Sequence, residues 1–286
     1  MDYKPTSPRE IRDILAQRNF APRKSLGQNF LIDRNILVKI TDAAQLEPSD
    51  VVLEIGPGLG ALTMELLERG CRVVAVEYDR GLFGILGEQF AQEERLTLYN
   101  EDFMQFDLSR LAKFSQSGKF RGKVVANLPY YITTPAIFKL VEAGIRWESL
   151  VFLIQKEVAQ RITAEPGGKD YGALTVMLNF YGQVDKIMTV PKTVFYPAPQ
   201  VDSAVVRIRP FGDPERQELY PHLHRVVQAA FGQRRKTIQN ALQSVVAAKD
   251  QIQQLLAALN ITPTRRGETL NVAEFTALAM AVRQLE

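Results

Sequence analysis

The sequence predicts an α/β fold: a parallel sheet flanked by helices, followed by a smaller all-α C-terminal domain. Two observations predict it. Between residues 51 and 155, five short β-branched-rich runs recur: VVLEI (51–55), RVVAVE (72–77), LTLYN (96–100), KVVAN (123–127) and LVFLIQ (150–155), with helical segments between or after them. Strands alternating with helices imply right-handed crossovers and a parallel sheet. From Phe211 onward the strand signal stops, and apolar residues recur at helical spacing. At 286 residues and 46% hydrophobic, the chain is long enough for a large domain plus a small one, each with its own core.

In chain order, residues 8–19 read as a short amphipathic helix, and the basic loop APRKSLGQNFL follows. DRNILVKITDAAQL then has Asp33 as its N-cap and apolar residues at helical spacing. Helices are expected over 61–69, 79–92, 134–143 and 156–163, and YGALTVMLNFYG reads as another. VDKIMTV and DSAVVRIRP read as two final strands, separated by the proline-rich loop PKTVFYPAPQ. Helices over 217–231, 234–248, 250–258 and 271–284 complete the chain. The division this predicts is a basic N-terminal arm (1–40), the α/β domain (41–208) and a helical domain (209–286), with the boundary at RIRPFGDP. There is no internal repeat or low-complexity tract.

Charge and cysteine content narrow the setting. Net charge is +3, unevenly placed. Residues 1–40 carry 8 basic and 4 acidic side chains, and residues 207–286 carry 11 and 7, so each end is +4 and the middle is −5. Basic ends around an acidic middle suit a polyanion held at the periphery. A lone cysteine, Cys71, permits no internal disulfide and fits a reducing compartment, and it is expected to be packed and inert. No apolar run approaches the ~20 residues that span a bilayer. The first residues include Asp2, Glu10 and Asp13 and no apolar segment, unlike a signal or transit peptide, so a cytoplasmic location is expected. His222 and His224, two apart on a helix, diverge, and one cysteine makes no zinc set, so no metal is expected.

LEIGPGLG places Glu54, Gly56, Gly58 and Gly60 between the first sheet strand and a helix. Glycines there allow a tight turn and close backbone approach to a ligand. The spacing is G-x-G-x-G rather than the G-x-G-x-x-G of dinucleotide binders, and no lysine follows as in a phosphate-cradling loop. A loop built for close approach but lacking phosphate machinery suits S-adenosylmethionine. Glu77 ends the second of these strands, where a carboxylate can accept both ribose hydroxyls. Asp102 follows the third, where it can accept from the adenine amine. Asp79 and Glu101 compete for these roles, with Glu77 favoured by its place at the strand end.

VVANLPYYITTP ends the fourth strand on Asn127-Leu128-Pro129-Tyr130, which should project into the same crevice. The nitrogen of an aromatic amine is a poor nucleophile because its lone pair is delocalised into the ring. An Asn side-chain oxygen and the backbone carbonyl beside Pro129, both accepting from one NH2, favour a pyramidal nitrogen aimed at a methyl donor. Tyr130 offers a flat face to a base, and such stacking is worth ~1–3 kcal/mol. Pro129 stiffens the turn. Phe195, ahead of Pro197 and Pro199 in VFYPAPQVDS, can close on the other face if its loop overhangs the crevice.

These segments resemble one family throughout. KSLGQNFLID, LEIGPGLG, VVANLPYYI, VFYPAPQVDS and FGQRRKTIQNAL, taken together, are similar to the small-subunit (16S) ribosomal RNA adenine N6,N6-dimethyltransferases over nearly the whole chain. The resemblance implies a Rossmann-like class I S-adenosylmethionine-dependent methyltransferase domain. It implies transfer of methyl groups to two adjacent adenosines near the 3′ end of 16S RNA, with the small ribosomal subunit or its precursor as partner. It also implies that the Q-N-F-L segment of the arm folds over the cofactor, through Gln28, Asn29 and Leu31. Glu54, Gly56, Gly58, Gly60, Glu77, Asp102 and Asn127 match the cofactor contacts. Asn127, Leu128, Pro129 and Tyr130 match the catalytic motif, and Phe195 matches its later aromatic. Arg234, Arg235 and Lys236, with Arg23 and Lys24 from the arm, suit RNA phosphates. Two alternatives stand beside this reading: a 23S RNA adenine methyltransferase of the macrolide-resistance type, and a ribosome-assembly RNA-binding factor without catalysis.

Overall fold

A computed structural model describes residues 5–23, 26–115, 121–233 and 235–285. In chain order the elements are helix α1 (Pro8–Gln17), strand β1 (Phe30–Leu31), α2 (Arg34–Ala43), β2 (Val51–Ile55), α3 (Ala61–Glu68), β3 (Arg72–Glu77), α4 (Arg80–Gln89), β4 (Leu96–Asn100), β5 (Arg121–Asn127), α5 (Thr133–Glu142), β6 (Arg146–Gln155) and α6 (Lys156–Ile162). There follow α7 (Ala173–Tyr181), β7 (Gly182–Val190), β8 (Phe195–Tyr196), β9 (Ser203–Pro210), α8 (Pro214–Gly232), α9 (Ile238–Ala241), α10 (Lys249–Ala258) and α11 (Val272–Arg283). Among the described residues, no helix is long and apolar enough to cross a membrane. The chain divides into two compact units, Met1–Ala159 with Asp185–Arg209, and Gln160–Val184 with Pro210–Glu286. The segment 160–184 thus belongs with the C-terminal helices, whereas a linear division assigns it to the sheet domain.

The first unit is built on a seven-stranded sheet of order β4-β3-β2-β5-β6-β9-β7. From β4 to β6 all neighbours are parallel. Val73–Val76, Val124–Ala126 and Leu150–Ile154 are at most 1% exposed. Burial on both faces is why these strands read as continuous apolar runs rather than as alternating ones. The sheet is not parallel throughout: β9 pairs antiparallel with β6, as in Leu150↔Ile208 and Gln155↔Ser203. The parallel pattern fails there because β9 returns from β7 and a proline-rich loop instead of from a covering helix.

Chain order reverses between β2 and β5, which pair in parallel. At that switch point the ends of both strands open on a crevice. A second sheet, β1 with β8, pairs Phe30 with Tyr196 and Leu31 with Phe195. It joins the arm to the later loop, which sequence patterning treats as two unrelated segments. Helix α1 is anchored as well: Ile11 and Leu15 cluster with Phe30, Leu59, Leu82 and Ile85. Asp33 and Asp79 cap α2 and α4 through side-chain oxygens that accept the N–H groups of Asn35 and of Gly81 and Leu82.

In the second unit, the Phe231 and Phe275 rings stack at 5.7 Å. Tyr171 donates its hydroxyl to the Leu270 carbonyl at 2.8 Å. The single helix expected over 234–248 is absent. Thr237 is extended, bridges to Arg266 and caps α9, which runs only to Ala241 before a 3-10 turn over Leu242–Ser244. The Ile238 N–H donates to the Arg265 carbonyl at 2.6 Å, so a neighbouring strand-like segment takes a donor that a longer helix would use.

Candidate active site

Gly56, Gly58 and Gly60 carry φ of +65°, +63° and +80° on the turn that leaves β2. Two of them are held by more than conformation. A Cβ on Gly60 would lie 2.7 Å from Leu86 and 2.8 Å from Phe90, so those two side-chain ends would have to shift. A Cβ on Gly56 would meet the Pro129 ring at 3.4 Å. The glycine loop and the turn after β5 thus lie side by side, and they wall one cavity. Its lining also includes Gln28, Asn29, Leu31, Glu54, Glu77, Asp102, Asn127, Tyr130 and Phe195. Of the residues expected at the cofactor and catalytic positions, all but Gly60 border this single space.

The acids in it are buried. Glu54, 1% exposed, accepts from Thr63 Oγ1 at 2.7 Å. Burial, opposed by that hydrogen bond and reinforced by Glu77, pushes its carboxyl up to about 8. Glu77, 5% exposed, accepts from the Gly58 N–H at 3.1 Å and the Asp79 N–H at 2.8 Å. Burial outweighs those bonds and raises it to about 7. Glu77 thus stands at the strand end, but each of its oxygens already takes one backbone donor. Asp102 accepts from the Met104 N–H at 2.8 Å, which shapes the loop after β4. Asp79, which competes with Glu77 at sequence level, is committed as the cap of α4 and to the arm.

Asn127 donates Nδ2 to the Asn29 carbonyl at 3.4 Å, which leaves Oδ1 as its acceptor. The turn continues into a 3-10 turn, Tyr130–Ile132, and Thr133 donates to the Pro129 carbonyl at 3.1 Å. Tyr130 is half-buried, and its hydroxyl is hydrogen-bonded to Ser203 Oγ at 2.8 Å. Phe195 lines the cavity, but at 4% exposure it is part of the apolar core with Leu31 and Val205, not a free overhanging ring. The β1–β8 pairing is the physical reason: it places Phe195 opposite Leu31 and fixes its backbone.

The arm is latched to the cavity rim. Gln28 accepts from the Arg23 N–H at 2.7 Å and donates to Asp79 Oδ2 at 3.2 Å, while the Arg23 guanidinium lies 3.5 Å from Asp79. Arg23 is thus engaged with a buried acid as well as exposed to solvent. Lys24 and Arg234 lie outside the described residues. Arg235 and Lys236 are exposed in the turn before the α9 cap rather than inside a helix. Among the described residues there is no group of three or more His, Cys, Asp or Glu suited to a metal ion. Sequence reasoning missed Tyr78 and Tyr131, each 53% exposed and lining the cavity, and Ser203, the partner of Tyr130. The tyrosines adjoin Glu77 and Tyr130 in sequence, which was a usable signal. Ser203 was not legible, since its partner is 73 residues away.

The cavity suits S-adenosylmethionine. Buried carboxylates face a ligand that carries a sulfonium, an ammonium and ribose hydroxyls, and the glycine turn replaces side chains with backbone. Comparison with known proteins agrees. A family model described as ribosomal RNA adenine dimethylase matches residues 19–278. The curated ribosomal RNA small subunit methyltransferase A of Moorella thermoacetica is 45% identical over 99% of this chain and 100% of its own. Its namesake from a Geobacillus species is 44% identical over 98% of both chains. Among solved structures, a dimethyladenosine transferase from Plasmodium falciparum is similar with a TM-score of 0.76 at 26% identity, covering 89% of this chain and 98% of that one. The 23S rRNA methyltransferase ErmE is similar with a TM-score of 0.66 at 25% identity, covering 90% and 100%.

Proposed function

The chain belongs to the ribosomal RNA adenine dimethylase family, an S-adenosylmethionine-dependent enzyme family, and on that premise we propose that it methylates N6 of two adjacent adenosines near the 3′ end of 16S RNA. One observation supports the site assignment above the rest: the glycine loop from Gly56 and the Asn127–Tyr130 turn lie side by side and wall one cavity.

The cofactor supplies an electrophilic methyl group on a sulfonium. The protein's part is to bind, orient and exclude water. Glu54 and Glu77 would hold the cofactor's cationic and hydroxyl-bearing ends, Asp102 would accept from its adenine amine, and Gln28, Asn29 and Leu31 would cover it. Asn127 Oδ1 and the Leu128 carbonyl accept the two N6 hydrogens, so the nitrogen turns its lone pair toward the methyl group. Each transfer would form an N–C bond as the donor's S–C bond breaks, one N6 proton would leave to solvent, and a second cofactor molecule would supply the second methyl. Tyr130, held by Ser203, gives the base a stacking face, and Phe195 sets the cavity wall behind it.

In this reading the helices after Arg209 dock RNA, with Arg235 and Lys236, and Arg234 beside them, meeting phosphates. The partner is the small ribosomal subunit or its precursor, in the cytoplasm. Full-length relatives named for the small subunit, at 45% and 44% identity, weigh against the 23S alternative. The intact cavity weighs against a non-catalytic role. Methyl transfer from labelled cofactor to 16S and to 23S RNA, each alone and in its subunit, is the test. Label on 16S with two methyls per adenosine is expected, and label on 23S alone would overturn the assignment.

A further inference from the structure

Lys139 is a side chain of the first unit whose bonding no role above explains. It lies on α5, two turns beyond the Asn127–Tyr130 turn. Its ammonium donates to three backbone carbonyls: Phe103 at 2.7 Å, Met104 at 2.9 Å and Phe106 at 2.6 Å. An ammonium has three N–H groups, and here all three are used on one loop. The same nitrogen sits 5.2 Å from the centre of the Phe103 ring. That loop carries Asp102 and Phe103, both of which line the cavity.

The geometry points to Lys139 as a positioning residue for the adenosine half of the cofactor site, an inference that rests on the cofactor assignment above. Asp102 accepts from Met104, and the Phe106 N–H donates back to Asp102 and Phe103 carbonyls, which closes the turn after β4 on itself. Its start is tied to the end of β3 through the Glu101 N–H and the Glu77 carbonyl and to Arg110, and Phe103 and Phe106 are buried. Lys139 adds the tie from the Phe103–Phe106 backbone to α5, the element that starts directly after the catalytic turn. An ammonium can gather three carbonyls from three directions, whereas the planar guanidinium fork of arginine cannot. Asp102 and Asp107 are the acids that face the ammonium, and burial lowers its pKa against their pull.

The test is binding, not turnover alone. In Lys139→Met, which keeps the apolar stem, calorimetry should show S-adenosylmethionine and 5′-methylthioadenosine both weakened, by about tenfold or more, the loss expected from a charged hydrogen-bonded group. The ratio of the two affinities should stay unchanged, because only the shared adenosine half is disturbed. KM for the cofactor should rise while kcat at saturation stays within about threefold of the parent. Lys139→Arg keeps charge and length and should show the same loss in part, so it decides the matter if the methionine variant fails to fold. Parental affinity in the arginine variant, or a loss confined to S-adenosylmethionine and spared for 5′-methylthioadenosine, would overturn the inference. If the parent protein itself binds neither compound, the cofactor assignment fails instead.

Discussion

Cofactor binding should expel protons. Glu54 titrates at about 8 and Glu77 at about 7 in the folded protein, both from an ordinary 4.5, and burial is the first cause in each. A carboxyl with a pKa of 8 is only about one-tenth ionised at pH 7. The two interact, so the pair titrates together in two steps. In the folded chain these raised values keep protons that the unfolded chain has released. The stability they contribute is complete below about pH 4.5 and is lost as pH rises through 7 to 8. A ligand carrying a sulfonium and an ammonium favours the charged carboxylates and pulls both values back down. Binding at pH 7 should therefore release up to about 1.4 protons, and affinity should improve by up to about 20-fold per pH unit on average between 6 and 8. Calorimetry in buffers of different ionisation enthalpy counts the protons directly. Glu54→Gln resembles the protonated form and can still accept from Thr63, so it should fold, bind more weakly and release about one proton fewer. A binding enthalpy independent of buffer at pH 7, with a flat affinity between pH 6 and 8, would refute the reasoning.

The remaining predictions concern substrate and docking. Asn127→Ala should lower kcat by about 100-fold or more while the protein stays folded, read from single-turnover methylation of 16S RNA in the small subunit. Tyr130→Phe should leave the stacking ring but strand Ser203, costing about 1–3 kcal/mol in denaturant melts with only a mild loss of activity. Phe195→Ala should cost about 3–5 kcal/mol of stability, because the ring is core, so any activity loss must be compared with the stability loss. Neutralising Arg235 and Lys236 together should leave cofactor affinity unchanged and flatten the log affinity versus log salt plot for RNA by about 1.4–1.8, and an unchanged slope would remove them from the interface.

How far the sequence foretold this molecule depends on the range of the interaction. The five parallel strands were legible because burial on both faces writes continuous apolar runs into 51–55, 72–77 and their successors. The end of each such strand is equally local. Glu54 and the glycines, Glu77, Asp102 and Asn127 stand where strands stop, and parallel topology alone gathers strand ends at one edge. That is why most of the cavity lining is legible in the sequence. What could not be named is who touches whom. Phe195 reads as a loop aromatic until Leu31 pairs with it across 164 positions, and a two-residue strand leaves no periodicity to detect. The helix expected over 234–248 fails for the same reason, since the donor that ends it is taken by Arg265. Glu77 shows the case most sharply. Its position was readable, but its occupation by the Gly58 and Asp79 amides was not, and that occupation changes its role. The carboxylate holds the glycine turn and α4 in register first. Its hold on a ribose must then be won partly from its own backbone donors, or shared with them through the lone pairs that remain on each oxygen. A site residue of this kind is therefore structural and functional at once. Replacing Glu77 by Ala should lower the melting temperature of the protein without cofactor as well as weaken cofactor binding, whereas Glu77→Gln, which keeps an acceptor for one amide, should spare more of the stability than of the binding.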